Sequence, residues 1–307
     1  MDIHPVFVGI DVSKSRLDIF DGQLSSCANT AEAIAPLATR WAQVGAFVLF
    51  EATGAYDARL RRTLDGAGVR YTRVNPGRAR DFARAAGYLA KTDQVDARML
   101  AAMGRALDPR AADPVEPGRE RLAALHKRRD QLVHTRQQER TRLKGVDDPE
   151  IADGLQQHLA WLDGAITGLD RRIAAVIKAE AALETARGLL RSIPGVGPVA
   201  ATTLLALVPE LGRISGKAAA ALTGLAPLNR DSGQHRGRRT IGGGRKRVRD
   251  ALYMAALSAS RSHSRFAQRY QHLLKAGKPP KLALIALARQ LLVTANAVLR
   301  DGRAYQP

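Results

Sequence analysis

Two short apolar runs, Phe7-Val8-Gly9-Ile10-Asp11-Val12 and Ala46-Phe47-Val48-Leu49-Phe50-Glu51, restrict the fold of this chain more than any other feature. Each is too short for a buried helix, reads as a buried strand, and carries an acid at or near its end. Helical and extended patterns alternate around them. Residues 16–20 continue with period-two alternation, which suggests a hairpin. Residues 30–43 read as a helix, and a short helix near 56–66 leads to a strand over 69–74, closed by Asn75-Pro76. A helical stretch containing Lys91-Thr92-Asp93-Gln94-Val95-Asp96 follows. This alternation predicts an α/β domain with a mixed sheet over residues 1–108.

The pattern then changes. Pro109, Pro114 and Pro117-Gly118 fall close together and mark a linker over 109–118. From 119 to 187 the periodicity is helical. Leu155, Leu159, Leu162, Ile166, Leu169, Ile173 and Val176 alternate by four and three, the spacing of a coiled-coil seam. Leu122, Leu125, Leu132 and Leu143 supply its partner across a turn at 145–149, so the segment reads as an antiparallel helical hairpin. The polar content of its first arm leaves room for a second subunit to complete the packing. Residues 188–307 form a mainly helical C-terminal domain with an arginine- and glycine-rich loop at 230–247. The most apolar long run, at 282–299, contains Arg289 and Gln290 and reads as a core helix, not a membrane span.

Lys and Arg outnumber Asp and Glu by 48 to 29, a formal charge of +19, and most of the cations are arginine. Such an excess repels itself without a polyanionic partner, and nucleic acid is the leading inference. The single cysteine, Cys27, excludes an intrachain disulfide and a cysteine-based zinc site. Together with a start that lacks a signal-peptide pattern, it predicts a cytoplasmic, nucleoid-associated protein.

Four acids carry the first chemical reading. Asp11 and Glu51 end apolar strands, and Asp93 and Asp96 sit three apart on one helical face. Singly, each reads as a turn residue or a helix-dipole partner. Together, in strand–strand–helix order, they look like the metal site of a ribonuclease-H-like fold, where oxygen-only ligands favour Mg²⁺ or Mn²⁺.

The basic loop carries the second. Arg230, Arg236, Arg238 and Arg239, followed by Arg245, Lys246 and Arg247, are interleaved with glycines that let a backbone approach phosphates. Ser232 lies within it, but no neighbouring His–Asp arrangement marks it as activated. Composition alone makes it incidental to a phosphate-binding loop. Ile193-Pro194-Gly195-Val196-Gly197-Pro198 resembles a helix–hairpin–helix turn, with Gly195 and Gly197 aiming N–H groups at a phosphate. An ordinary helix–helix turn has the same pattern.

These residues resemble the insertion sequence 110 family of transposases. The N-terminal resemblance rests on Gly9-Ile10-Asp11-Val12-Ser13-Lys14, Phe50-Glu51-Ala52-Thr53-Gly54, Asn75-Pro76, Ala90-Lys91-Thr92-Asp93 and Val95-Asp96-Ala97. The C-terminal resemblance rests on Ile193-Pro194-Gly195-Val196-Gly197, Leu225-Ala226-Pro227, Asp231-Ser232-Gly233 and Leu252-Tyr253-Met254. Ala55-Tyr56-Asp57 departs from the Gly-Tyr-Glu expected there. The resemblance implies a RuvC-like Asp-Glu-Asp-Asp domain with Asp11, Glu51, Asp93 and Asp96 as ligands, and a C-terminal domain with Ser232 as nucleophile. It also implies a structured guide RNA that pairs with donor and target DNA. Assembly as dimers and tetramers, with composite active sites shared between subunits, is implied as well. A junction-resolving endonuclease would keep the four acids without needing Ser232. A non-catalytic DNA-architectural protein would gain nothing from carboxylates beside phosphates.

Overall fold

The computed structural model describes residues 6–54, 56–88, 92–114, 116–228, 231–232, 235–236 and 239–306, with the backbone alone at 231, 232, 235 and 236. The chain divides into two compact units, Met1–Val115 and Glu116–Pro307.

The first unit runs β1 (Phe7–Val12), β2 (Arg16–Phe20), β3 (Leu24–Ala28), α1 (Ala31–Gln43), β4 (Phe47–Glu51), α2 (Ala58–Gly66), β5 (Arg70–Val74), α3 (Pro76–Ala85) and α4 (Asp93–Leu107). The sheet order is β3-β2-β1-β4-β5. The first three strands form an antiparallel meander, and β4 and β5 run parallel to β1. Thr30 and Thr92 cap α1 and α4 by accepting the Ala33 and Val95 amides. Strand β3, Leu-Ser-Ser-Cys-Ala, escapes a reading by hydropathy because it is an edge strand with little to bury.

The pleat sends Val8, Ile10 and Val12 into a core with Ile34, Trp41, Leu60 and Leu64. Phe7 turns the other way, to Leu49, Met99, Leu100 and Met103. On that second face α4 lies against the strands with almost no side-chain padding. A Cβ at Gly9 would fall on the carbonyl oxygen of Ala97 and within 2.6 Å of the Ala101 amide nitrogen. One at Gly104 would strike the Phe7 ring and come within 2.6 Å of Leu49 Cδ1. Ala97, Ala101 and Gly104 form a ridge of small residues one turn apart, so α4 runs back along β1 with its first turn at the strand's C-terminal end. The segment read as a linker is partly tied down, because the Ala112 amide donates to Tyr71 O at 2.7 Å.

The second unit opens with the hairpin of α5 (Pro117–Leu143) and α6 (Pro149–Ala179), whose second arm is capped by Asp148. Its seam is used within the chain. Leu162, Ile166, Leu169, Ile173 and Val176 are buried in one cluster with Leu122, Leu125 and Leu132, whereas Leu155 and Leu159 are half-buried. The helix expected to run to 187 breaks at Glu180, which is extended at φ −115° and ψ 107°, and α7 (Ala181–Arg191) follows. The base of the hairpin is not an independent coiled coil, because its leucines share that cluster with later helices.

Those helices are α8 (Pro198–Leu207), α9 (Gly216–Leu222), α10 (Lys246–Ala259), α11 (Arg265–Lys275) and α12 (Pro280–Asp301). By length and composition α12 is apolar enough to cross a membrane, but Ala283, Leu287, Leu291, Leu292 and Ala295 are wholly buried in this core. The basic loop is a ribbon. In it β6 (Pro227–Leu228) pairs with β9 (Thr240–Ile241), and β7 (Asp231–Ser232) pairs with β8 (His235–Arg236). No apolar alternation announces it, because its residues are chiefly arginine and glycine.

Gly9→Ala is expected to unfold or strongly destabilise the first unit, by about 3 kcal/mol or more, since a backbone clash has no rotamer to escape into. Gly164→Ala, on an open face of α6, is expected to stabilise by about 0.5–1 kcal/mol through helix propensity. Urea denaturation of the two variants measures both signs.

Candidate active site and nucleic-acid face

The register of β1 and β4 pairs Gly9 with Leu49 and Ile10 with Phe50, so one further step sets Asp11 beside Glu51 at the strand ends. Both project to the face that carries α4, because Asp11 shares Gly9's side of the pleat and Glu51 shares Leu49's. Asp93 lies one turn before Ala97 on the small-residue ridge and therefore reaches the same end. Asp96 lies one turn before Leu100. Asp93 is exposed, and the other three acids are half-buried.

The electrostatics register this convergence. The Asp11 carboxyl is pushed up from 3.8 to about 6, first by burial and then by the negative charges of Asp93, Asp96 and Glu51. Opposing this, the α4 N-terminus offers a positive dipole end to Asp93 and Asp96. Among the described residues no three His, Cys, Asp or Glu side chains are drawn to ligand spacing, as expected where like charges repel. Four oxygen-donor acids that raise one another's proton affinity suit a hard divalent cation.

Two supports beneath this site were not evident from sequence. Asn29, 2% exposed, donates from Nδ2 to Ser13 O and to Tyr56 O, both at 2.9 Å. It thereby ties the turn after Asp11 to the loop after Glu51. Asp57, fully buried, accepts from Arg61 Nε at 3.2 Å and from Arg73 Nε and Nη2 at 3.0 and 2.7 Å. A further acid, Asp18, stands opposite Asp11 in the β1–β2 register. It is 4% exposed and pairs with Arg16 at 2.7 Å. The period-two pattern of residues 16–20 was the signal for it.

In the second unit, the Ser232 backbone lies in β7, paired with His235 in β8. Arg230 and Arg238 fall outside the described residues, as do the side chains of Ser232 and Arg236 and the signature residues Ala55, Ala90 and Lys91. Arg239 is exposed and has no ion-pair partner among the described residues. The other three basic residues expected to meet nucleic acid are held by acids of their own unit. Arg245 makes a two-pronged pair with Glu210 at 2.7 and 2.5 Å, and Lys246 bonds Asp250 at 2.7 Å. Arg247 grips Asp130, with Nε at 2.6 Å.

Asp130 continues inward. Its carboxylate lies 3.4 Å from His126 Nδ1. Thr203 gives its hydroxyl proton to Val199 O at 2.8 Å, leaving its oxygen to accept from His126 Nε2–H at 2.9 Å. Burial holds His126 below the usual imidazole range, with Asp130 pulling the other way. Asp130 and Arg247 thus link α5 to α10, and His126 and Thr203 link α5 to α8.

The turn between α7 and α8 borders a cleft of about 660 Å³ whose lining includes Arg191, Gly197, Arg247 and Met254. Its two glycines differ in purpose. Gly195 has φ +88°, and a Cβ there would meet Ala255 O at 2.5 Å and Ala259 N at 2.8 Å, so it is required by α10 packing whether or not a phosphate binds. Gly197 faces open space at the N-cap of α8, where no side chain caps the first-turn amides.

Comparison with known proteins adds the following. Residues 187–271 match the model for the transposase IS116/IS110/IS902 family, and residues 8–146 match the model for the DEDD transposase of IS110. The chain is 30% identical to the pilin gene-inverting protein of Moraxella lacunata across 97% of each chain, and equally so to that of Moraxella bovis. It is 31% identical to the uncharacterized 44.8 kDa protein of insertion element IS116 from Streptomyces clavuligerus, over 50% of this chain and 38% of that one.

Asp11→Asn is expected to raise the melting temperature in metal-free buffer above pH 6. The folded state binds the Asp11 proton more tightly than the unfolded state does. Wild-type stability is therefore full below about 3.8 and falls as pH rises towards 6. The asparagine variant lacks that loss, so its advantage should open through this window and then stay level. Mg²⁺ should raise the wild-type midpoint and barely move the variant's. Parallel melting curves across pH would contradict the convergence of acids.

Proposed function

Since the chain belongs to the IS116/IS110/IS902 family of transposases, we propose that it cuts and rejoins DNA through a four-carboxylate site and a serine nucleophile. The observation that carries the reading is the convergence of Glu51, Asp93 and Asp96 on the Asp11 carboxyl. A meander followed by two parallel strands, with the acids at the strand ends, supports a ribonuclease-H-like domain of RuvC type.

In this reading Asp11, Glu51, Asp93 and Asp96 hold Mg²⁺, with Mn²⁺ as an alternative. A divalent ion bound there supplies Lewis acidity at a phosphodiester and offsets its negative charge. Asn29 keeps the two strand-end loops in register, and the α4 dipole steadies Asp93 and Asp96. Raised to about 6, the Asp11 carboxyl must release its proton before all four acids act as ligands, so occupancy favours neutral or higher pH.

Ser232 contributes the covalent step. Its Oγ attacks phosphorus as the bond to the leaving deoxyribose oxygen breaks. The serine proton departs, and the leaving oxygen ends as a hydroxyl. An incoming strand hydroxyl then reverses the exchange, so the phosphodiester energy is conserved and no ATP is needed. Arg230, Arg236, Arg238 and Arg239 neutralise the phosphates around it, and Gly197 offers its amide to the backbone. Arg245, Lys246 and Arg247 join them once DNA competes for their carboxylate partners.

Donor and target choice is delegated to a structured RNA. The ribbon and the α7–α8 turn suit backbones, and a charge of +19 gives strong but unselective binding. Self-association is supported by the outer half of the α5–α6 arm, where Ile151 and Trp161 are 57% and 59% exposed.

The experiment uses purified chain, labelled DNA ends and Mg²⁺. Asp11→Asn should abolish strand cleavage, by at least about a hundredfold, while preserving DNA binding. Ser232→Ala should abolish a trapped protein–DNA adduct. An adduct that persists in Ser232→Ala, or maps to a tyrosine, overturns the serine assignment. Persistent cleavage by Asp11→Asn overturns the metal site. Efficient site-specific recombination by RNA-free protein would remove the guide from the reading.

A further inference from the structure

No Asp or Glu occurs between Asp250 and Asp301, although the stretch carries Arg261, Arg265, Arg269, Lys275, Lys278, Lys281, Arg289 and Arg300. Over α11 and α12 the basic residues, apart from Arg300, which pairs with Asp301 at 2.8 Å, are therefore not balanced by their neighbours, unlike those at the foot of the ribbon. The fold gathers some of them. A groove of about 680 Å³ between the two helices is lined by Arg265, Gln268, Arg269, His272, Arg289 and Gln290, over a floor that includes Leu273 and Ala286.

The spacing explains the gathering. Arg265, Arg269 and His272 recur at four and three along α11 and so share one face. Arg289 comes from the facing stretch of α12. Phe266 and Leu273, both buried, fix the roll of α11 by anchoring the adjacent flank. None of Arg265, Arg269 and Arg289 has an ion pair among the described residues. Three guanidinium groups held together without a counterion repel one another, a cost that a polyanion would relieve.

We propose that this α11–α12 groove is a second docking surface, which receives the sugar–phosphate backbone of double-stranded DNA through residues other than those assigned to the reacting bond. The occupant follows from the lining. Arginine forks match phosphate oxygens, and glutamine amides add neutral donors that position a backbone without reading sequence. No Phe, Tyr or Trp lines the groove, so unpaired bases find no broad platform to stack on, which disfavours single strands. None of the residues assigned to cutting and joining lines the groove. It rests on the reading of the chain as a DNA recombinase only in taking DNA as the polyanion.

The test measures binding of the full chain to a labelled DNA duplex, a single strand of the same sequence and an RNA hairpin, across a salt series. The triple variant Arg265→Gln, Arg269→Gln, Arg289→Gln should weaken duplex binding roughly tenfold or more near 0.1 M salt. It should also make the slope of log K against log salt shallower by about 2–3. Removing the same charge at scattered exposed sites, Lys178→Gln, Lys217→Gln and Arg303→Gln, should change the slope by less than about 1. The triple Arg→Lys variant keeps the charge and should restore most of the slope, which separates lost contacts from lost folding. An unchanged duplex slope in the glutamine variant overturns the proposal, as does a loss confined to the RNA hairpin or the single strand. Failure of the recombinase reading shows separately, as strand cleavage that Asp11→Asn does not abolish.

Discussion

The first unit depends on the contact between the backbone of α4 and strand β1 at Gly9. Removing one methyl-sized volume from the strand lets the helix sit directly on the sheet, against Ala97 and Ala101. That approach does two things at once. It closes the core around Phe7, Leu49, Met99 and Met103, and it sets the helix's first turn at the strand ends. A side chain at position 9 would lift α4 by ångströms, and the acids on its first turn would lift with it. Metal–ligand distances tolerate only tenths of an ångström, so under the proposed metal site a packing requirement and a chemical one fall on the same glycine.

The acids it brings together are costly to hold. Burial first, and then the like charges of Asp93, Asp96 and Glu51, raise Asp11 above the ordinary carboxylate range, a penalty offset by hydrogen bonds elsewhere in the fold. Asn29 and the Asp57–Arg61–Arg73 cluster lie under the two loops that follow the acidic strands, and Asn29, Asp57 and Arg61 are buried. Mutual repulsion of this kind among clustered acids is what the proposed divalent cation would relieve.

The second unit handles charge in two ways. At the foot of the ribbon, Arg245, Lys246 and Arg247 are each answered by an acid from the same unit. These pairs are partly exposed, and a phosphate backbone can exchange for the carboxylates at small net cost. Along α11 and most of α12 no acid is available, and the charge of Arg265, Arg269 and Arg289 stands open. The Asp130 that holds Arg247 also lies 3.4 Å from the buried His126 Nδ1, so whatever engages Arg247 changes the charge facing that imidazole.

By itself the sequence was sufficient for the strand runs 7–12 and 46–51, the seam on α6, the positive charge and the order of the motifs. These are local or periodic properties, and burial of an apolar face imposes them on any fold the chain adopts. It was not sufficient for β3, for the break at Glu180 or for the ribbon around Ser232. An edge strand buries little, a helix break needs no proline, and an Arg-Gly ribbon has no hydropathic period. Nor did it tell that Gly195 serves α10, that the hairpin's leucines share a core with later helices, or that Asn29, Asp18 and His126 are buried. Each of those depends on which distant residue lies opposite, and only the tertiary structure, through the close packing of backbones at Gly9 and Gly195, decides that.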